Sequence, residues 1–251
     1  MKRICLLSLF VLVSASGMLA QGSNDYHKWD IYGGYSLGRF ETNLKSASFT
    51  SASGTDTFSN LCSSGTGDML GPNFQKFFCT RRNFNGVEGA VTRNLSKYVG
   101  IKGDFTAHFK SQSYTDNFAP VTQVISNEER LYQLLGGIQI KNNRRDARVK
   151  PFAHALAGFS RYTNRQSQTL DLFPQFNFVI QDRETSLAIK LGGGLDVRVS
   201  KRIDIRIIQV DYNPMFAGDR NAKSLSGPFN PVTFGGRTAN NFTIGAGIVI
   251  H

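Results

Sequence analysis

The side chains of this 251-residue chain with the greatest capacity for chemistry are four histidines, the pair Cys62 and Cys79, and acids and bases set at alternate positions. His108 is followed by Ser111 and Ser113, the raw materials of a Ser–His–acid acyl-transfer site. No nucleophile elbow accompanies them, so His108 reads as a polar interior residue. His154 stands beside Phe152 and reads the same way, while His27 and His251 flank the patterned region. Glu88 and Asp104, with Lys102 and Arg206, could serve general acid–base catalysis; mutual neutralisation in a narrow interior is the simpler use of them. Gly192-Gly193-Gly194 matches no phosphate-binding loop. Two cysteines with no histidine nearby make a poor zinc site. The expectation is no catalytic residues, no cofactor and no metal.

The elements that position these residues are strands. Apolar and polar residues alternate over Lys28–Phe40, Asn85–Arg93, Val99–Phe109, Arg130–Ile140, Val149–Ser160, Ser186–Val199, Arg202–Tyr212 and Asn241–Ile250. Each is about ten residues long, the length a tilted membrane-spanning strand needs. The alternation loses phase at Ile208, where an inserted residue would form a bulge. A mean hydropathy of −0.24 speaks against membrane helices and leaves a membrane barrel open, because alternating strands average out.

The connections alternate too. Glu41–Arg82, Lys110–Glu129, Arg161–Thr185 and Asn213–Asn240 are long, whereas Asn94–Tyr98, Lys141–Arg148 and Ser200–Lys201 are short. The fold expected is an all-β, eight-stranded antiparallel up-and-down transmembrane barrel with long extracellular loops and short periplasmic turns. Before it, Met1-Lys2-Arg3, the apolar run Ile4 to Val13 and the small residues to Ala20 have a signal-peptide layout, with cleavage after Ala20 or Gly17. The expected organisation is a signal peptide over 1–20 and a barrel domain over 21–251. In an exported chain, Cys62 and Cys79 are expected to form a disulfide.

Charge then sorts by face. Arg or Lys on the lipid side costs roughly 2–4 kcal/mol at mid-membrane, so Asp30, Glu88, Lys102, Asp104, Lys190, Asp196, Arg198, Asp204 and Arg206 are expected in the lumen as a nearly balanced plug. The net charge of +11 falls to +9 without Lys2 and Arg3. Most of it is assigned to a periplasmic basic rim of Lys97, Lys141, Arg144, Arg145, Arg148, Lys150, Lys201 and Arg202, facing anionic phospholipid. The long loops sum to about +1 and on that count offer no basic grip on lipid A phosphates. A one-sided rim is not a nucleic-acid surface. Phe173, Phe176 and Phe178, around Pro174, are the loop residues suited to an extracellular partner.

The stretches NGVEGAVTRNLSKYVGIKGDF (from Asn85), VKPFAHALAGF (from Val149), LGGGLDVRVSKRIDIRIIQVDY (from Leu191) and NNFTIGAGIVI (from Asn240) resemble the outer-membrane β-barrel family of OmpA-type transmembrane domains. The resemblance runs from about Trp29 onward. It implies a monomeric barrel in a Gram-negative outer membrane, with membrane lipid as its surroundings. Two features depart from the pattern: no peptidoglycan-binding domain is expected after the barrel, and Val249-Ile250-His251 replaces the usual terminal aromatic. The sequence also lacks the outward His-x-Ser pair of barrel-type lipid A deacylases. The function expected is structural or surface-interacting and non-enzymatic. A gated channel, a lipid-A-modifying enzyme and a soluble ligand-binding barrel are the alternatives.

Overall fold

The structure, a computed structural model, describes residues 25–41, 46–51, 54–59, 79–118, 120–226 and 232–251. Segments rich in β-branched, aromatic and small residues form twelve strands there: β1 Trp29–Glu41, β2 Ser46–Ser51, β3 Gly54–Ser59, β4 Arg81–Asn94, β5 Val99–Phe118, β6 Val121–Lys141, β7 Val149–Leu170, β8 Phe178–Arg198, β9 Ile203–Ala217, β10 Arg220–Ser226, β11 Val232–Phe234 and β12 Arg237–Ile250.

Eight of them close on themselves. Going round, β1 pairs with β4, and β4 to β9 then follow in chain order as neighbours. β9 pairs with β12, and β12 returns to β1 through a register running from Ile31↔Ile250 to Arg39↔Phe242. All these pairings are antiparallel, so the sheet is a closed eight-stranded up-and-down barrel. The four remaining strands form an annex at one end: β3 pairs β2, β2 pairs β11, β11 pairs β10, and β10 joins β8. The opposite end carries the tight turns and the two described termini, where the His251 amide donates to the Arg202 carbonyl at 3.0 Å. We call these the hairpin end and the turn end.

Two segments expected as loops are strand. β5 and β6 stay paired from Lys110↔Glu129 to Phe118↔Val121, and β7 and β8 from Arg161↔Thr185 to Gln168↔Phe178. Above the apolar belt both faces of these hairpins are polar, so the alternation that marks a strand disappears while residues such as Thr, Val, Ile and Tyr keep the backbone extended. β9 contains the bulge. Gly245 faces Gln209 and Gly247 faces Arg206, so Ile207 and Ile208 both point outward. Beyond them Gln209, Asp211, Asn213 and Met215 turn inward.

The two faces differ completely. Outward lie Ile31, Val91, Ile101, Leu134, Ile138, Leu191, Ile205 and Ile244, all exposed. Toward the hairpin end this belt is edged by Tyr35, Phe109, Phe159, Phe216 and Phe242, and at the turn end by Trp29 and Tyr98. Inward lie charged and amide side chains. An apolar outside with aromatic edges and a polar inside is the architecture of a transmembrane barrel. Ile138→Arg, in mid-belt, should therefore lower unfolding free energy in phospholipid vesicles by about 2–4 kcal/mol, read by urea titration. A change within about 0.5 kcal/mol, as expected at an ordinary water-facing position, would contradict a lipid-facing belt.

Candidate functional site

The period-two backbone delivers one charged residue after another to the same enclosed interior. Six acids (Asp30, Glu88, Asp104, Asp196, Asp204, Asp211) and five bases (Lys102, Lys141, Lys150, Lys190, Arg206) are buried there. At mid-height, Lys190 Nζ lies 2.6 Å from Asp104 and 3.7 Å from Glu88, and Lys102 Nζ lies 3.1 Å from Asp104 and 3.8 Å from Glu88. Two ammonium groups thus share two carboxylates. Gln209 extends the network, its Nε2 donating to Glu88 at 2.8 Å and to Asp211 at 2.7 Å. His154 Nε2 stands 3.0 Å from the other oxygen of Asp211.

A second layer closes the turn end. Lys141 bridges Asp30 at 3.0 Å and Asp196 at 2.8 Å, and Lys150 meets Asp204 at 2.8 Å. The two ring nitrogens of His251 reach Asp30 at 2.7 Å and Asp204 at 2.8 Å, and the His27 ring stacks on it at 4.1 Å. Between the layers Arg206 grips Asp196 through Nε at 2.8 Å and Nη2 at 3.2 Å. Its guanidinium is flanked by the Tyr32 and Phe152 rings, 4.1 and 4.0 Å from their centroids. Glycine makes room for these rings: a Cβ on Gly34 would fall 2.4 Å from the Tyr32 hydroxyl, and one on Gly194 2.8 Å from the Phe152 ring.

Toward the hairpin end the interior turns apolar, packed by Phe40, Phe84, Leu131, Leu135, Leu156 and Met215. Above this cap charges return as pairs. Arg82 holds Glu129 at 2.6 Å, with the Tyr162 hydroxyl also donating to Glu129. Arg220 holds Asp182 at 2.7 Å and Glu184 at 3.1 Å.

Three placements correct the sequence reading. Lys141 and Lys150, assigned to the periplasmic rim, are buried in the lumen; they sit at the inward positions of β6 and β7 nearest the turn end, where long side chains reach back to carboxylates. Arg198, assigned to the lumen network, lies at the turn end and donates to the Arg145 carbonyl. The remaining rim residues Lys97, Arg144, Arg145, Arg148, Lys201 and Arg202 are exposed at the turn end. Asp30, Glu88, Lys102, Asp104, Lys190, Asp196, Asp204 and Arg206 all lie buried inside, and Asp211 joins them. The bulge hid Asp211 from a strict alternation count.

The structure does not bring His108 and Ser113 together. The partner of His108 is Ser36, at 3.0 Å, with Phe40 edge-on to the ring at 5.0 Å. Ser113 bonds Ser126 at 3.0 Å on the opposite face of β5. Among the described residues no three His, Cys, Asp or Glu side chains are placed to hold a metal ion. Cys62 lies outside the described residues. Phe173 is exposed at the tip of the β7–β8 hairpin, beside a 3-10 turn over Pro174–Phe176.

This arrangement lines the interior with ion pairs from mid-height to the turn end. The chain is an eight-stranded barrel, apolar outside and ion-paired within. No family model matches it, and no curated relative does. Several solved structures are similar to it at low sequence identity. They include the outer membrane protein OprG of Pseudomonas aeruginosa, at 13% identity over 91% of this chain and 98% of that one, with a TM-score of 0.46. The attachment invasion locus protein Ail of Yersinia pestis matches at 13% identity over 88% and 97%, with a TM-score of 0.41. Neisserial surface protein A matches at 12% over 89% and 97%, with a TM-score of 0.37.

Removing one partner of a buried pair strands the other charge. Lys190→Met should lower stability by about 3–5 kcal/mol, measured as a urea midpoint in vesicles, and adding Asp104→Leu should restore much of the loss. Loss without recovery would mean that Lys190 acts through packing rather than charge. The turn end should respond to pH. Burial disfavours the charged form of His251, but its hydrogen bonds to the carboxylates of Asp204 and Asp30 outweigh it and hold its pKa above the ordinary value. Its stabilisation is complete below the unfolded pKa of about 6.5 and is lost as pH rises through the raised folded value. His27 is pushed down to about 4, first by burial and then by the nearby charges of His251 and Lys150, so it stacks as a neutral ring. His251→Gln should therefore destabilise most near about pH 6, with the gap to wild type narrowing toward about pH 9. A pH-independent gap would leave the ring only a packing role.

Proposed function

We propose that this chain is an exported barrel of a Gram-negative outer membrane, with a structural or surface-interaction role and a lumen closed by its own side chains. The observation that carries this reading is the contrast of faces. The outside is apolar around the whole closed circuit, and of the eleven acids and bases buried inside ten lie in contact distance of an opposite charge, Asp211 lying beside His154 and Gln209. Water would suit neither arrangement: an apolar belt of this extent needs lipid, and side chains this dense leave an eight-stranded lumen filled.

In this reading residues 1–20 direct export and are removed, and the periplasm oxidises Cys62 and Cys79 to a disulfide. The turn end faces the periplasm, its rim of Lys97, Arg144, Arg145, Arg148, Lys201 and Arg202 lying against anionic phospholipid. The hairpin end, with Phe173 at one tip, faces the outside as the surface a partner meets. No step of catalysis is assigned. The interior carboxylates and amines serve as one another's counterions, and the barrel acts as a monomer.

Two measurements test it together. The folded protein from membrane extracts should migrate faster unboiled than boiled on a detergent gel, and identical mobility without a detergent requirement would sink the membrane assignment. Purified protein in planar bilayers should show no steady ion current; a steady current from the monomer would overturn the closed lumen.

A further inference from the structure

The hairpin extensions of β5 to β8 sort their charges by face. Inward, Asp116, Glu129, Asp182 and Glu184 are buried, and Glu129, Asp182 and Glu184 are met there by Arg82 or Arg220. Outward, Arg130, Arg161, Arg165 and Arg183 are exposed. The near-zero net charge of these segments conceals this division. Counting charge by segment predicts no basic grip at this end, and the structure corrects that expectation.

The four arginines are neighbours. Arg130 faces Thr163, and Thr163 faces Arg183, so one row across three strands begins and ends in arginine. Arg161 lies two positions along β7 from Thr163, opposite Tyr132, and Arg165 lies two positions the other way. With adjacent strands about 4.8 Å apart, the row spans roughly 10 Å. Glu128 is the acid of this face; it stands 4.0 Å from Arg130 with both side chains about 60% exposed, a weak pairing. Glu128 also faces Arg165 across the β6–β7 ladder, and among the described residues no ion pair holds Arg161, Arg165 or Arg183.

Their height on the barrel matters as much as their charge. Arg130 is the register partner of outward Phe109, and Arg161 of outward Tyr132, so the patch begins where the aromatic edge of the apolar belt stops. Beside Arg130 the wall opens. β4 pairs with β5 only as far as Asn85↔Phe109, and above that point the β5–β6 hairpin leans away. The opening is a cleft of about 590 Å³ lined by Tyr35, Val87 and Phe109 together with Lys110, Arg130, Glu128 and Glu129; Arg82 holds Glu129, and Glu128 lies beside Arg130.

An occupant of this surface must carry anionic groups at the level of the arginines and hydrocarbon directly beneath. We propose that Arg130, Arg161, Arg165 and Arg183, with the cleft beside Arg130, bind the phosphorylated headgroup of an outer-leaflet glycolipid. The inference rests on the outer-membrane reading above. Guanidinium forks suit phosphate oxygens, and a bound phosphate supplies the counter-charge these side chains lack. The cleft accepts acyl chain or sugar.

The test uses the full barrel in zwitterionic phosphatidylcholine nanodiscs, titrated with bisphosphorylated lipid A and with lipid A lacking both phosphates, bound lipid being read by native mass spectrometry. Wild type should bind the phosphorylated form at least tenfold more tightly. The triple variant R130Q/R161Q/R183Q should lose that preference, while R144Q/R145Q/R148Q at the other end keeps it. Fast unboiled mobility checks folding of each variant; should the triple misfold, R161Q/R183Q, which breaks no ion pair of the described residues, replaces it. Equal binding of the two lipids by wild type, or an undiminished preference in the folded triple or double variant, overturns the inference. A barrel that inserts and fails to discriminate overturns this site alone. A barrel that never enters the nanodisc overturns the membrane reading with it.

Discussion

A sheet surrounded by hydrocarbon cannot leave an edge. Unpaired N–H and C=O groups have no water to bond, so the strands must return to their starting point. Here the return is the β1–β12 ladder from Ile31↔Ile250 to Arg39↔Phe242, and the rest of the molecule follows from it. Closure divides every strand into an outward and an inward face. Eight strands enclose a space that side chains fill, which leaves buried charges little choice but one another.

The ion pairs that result do more than neutralise. Lys190 on β8 meets Asp104 on β5, and Lys141 on β6 meets Asp30 on β1, so the pairs tie together strands that are not neighbours in the sheet. A slip of one residue in any strand would turn its charges outward. Buried pairs contribute little net stability over apolar packing of the same shape. They do, however, connect strands that backbone pairing leaves apart.

How much of this was legible in the sequence depends on what each face carries. Where one face is apolar, alternation located all eight barrel strands and set Glu88, Asp104 and Lys190 inside. Where both faces are polar, as in Ser111–Asp116 or Gln166–Thr169, alternation vanishes and strands read as loops. Lys141 and Lys150 sit at the last and second positions of their strands, and boundaries of that kind are invisible to periodicity. Asp211 was concealed by a single inserted residue. The pairing of partners across the lumen, such as Gln209 with Glu88, depends on barrel shear and was not readable at all. The outward arginines were in plain view, but counting charge by segment averaged them away against the acids behind them.

The bulge at Ile207 and Ile208 sets the relation between the two ends of β9. Below it Asp204 and Arg206 face in; above it Gln209 and Asp211 face in, one residue later than the period requires. The strand therefore carries a spare residue at a place where both neighbours have already accommodated a change of step. Length variation among descendants of this sequence would be absorbed most cheaply there, because gaining or losing one residue elsewhere in a barrel strand rotates everything beyond it. An alignment of distant barrels that forbids gaps inside strands would misplace the whole upper half of β9, Asp211 and Asn213 included.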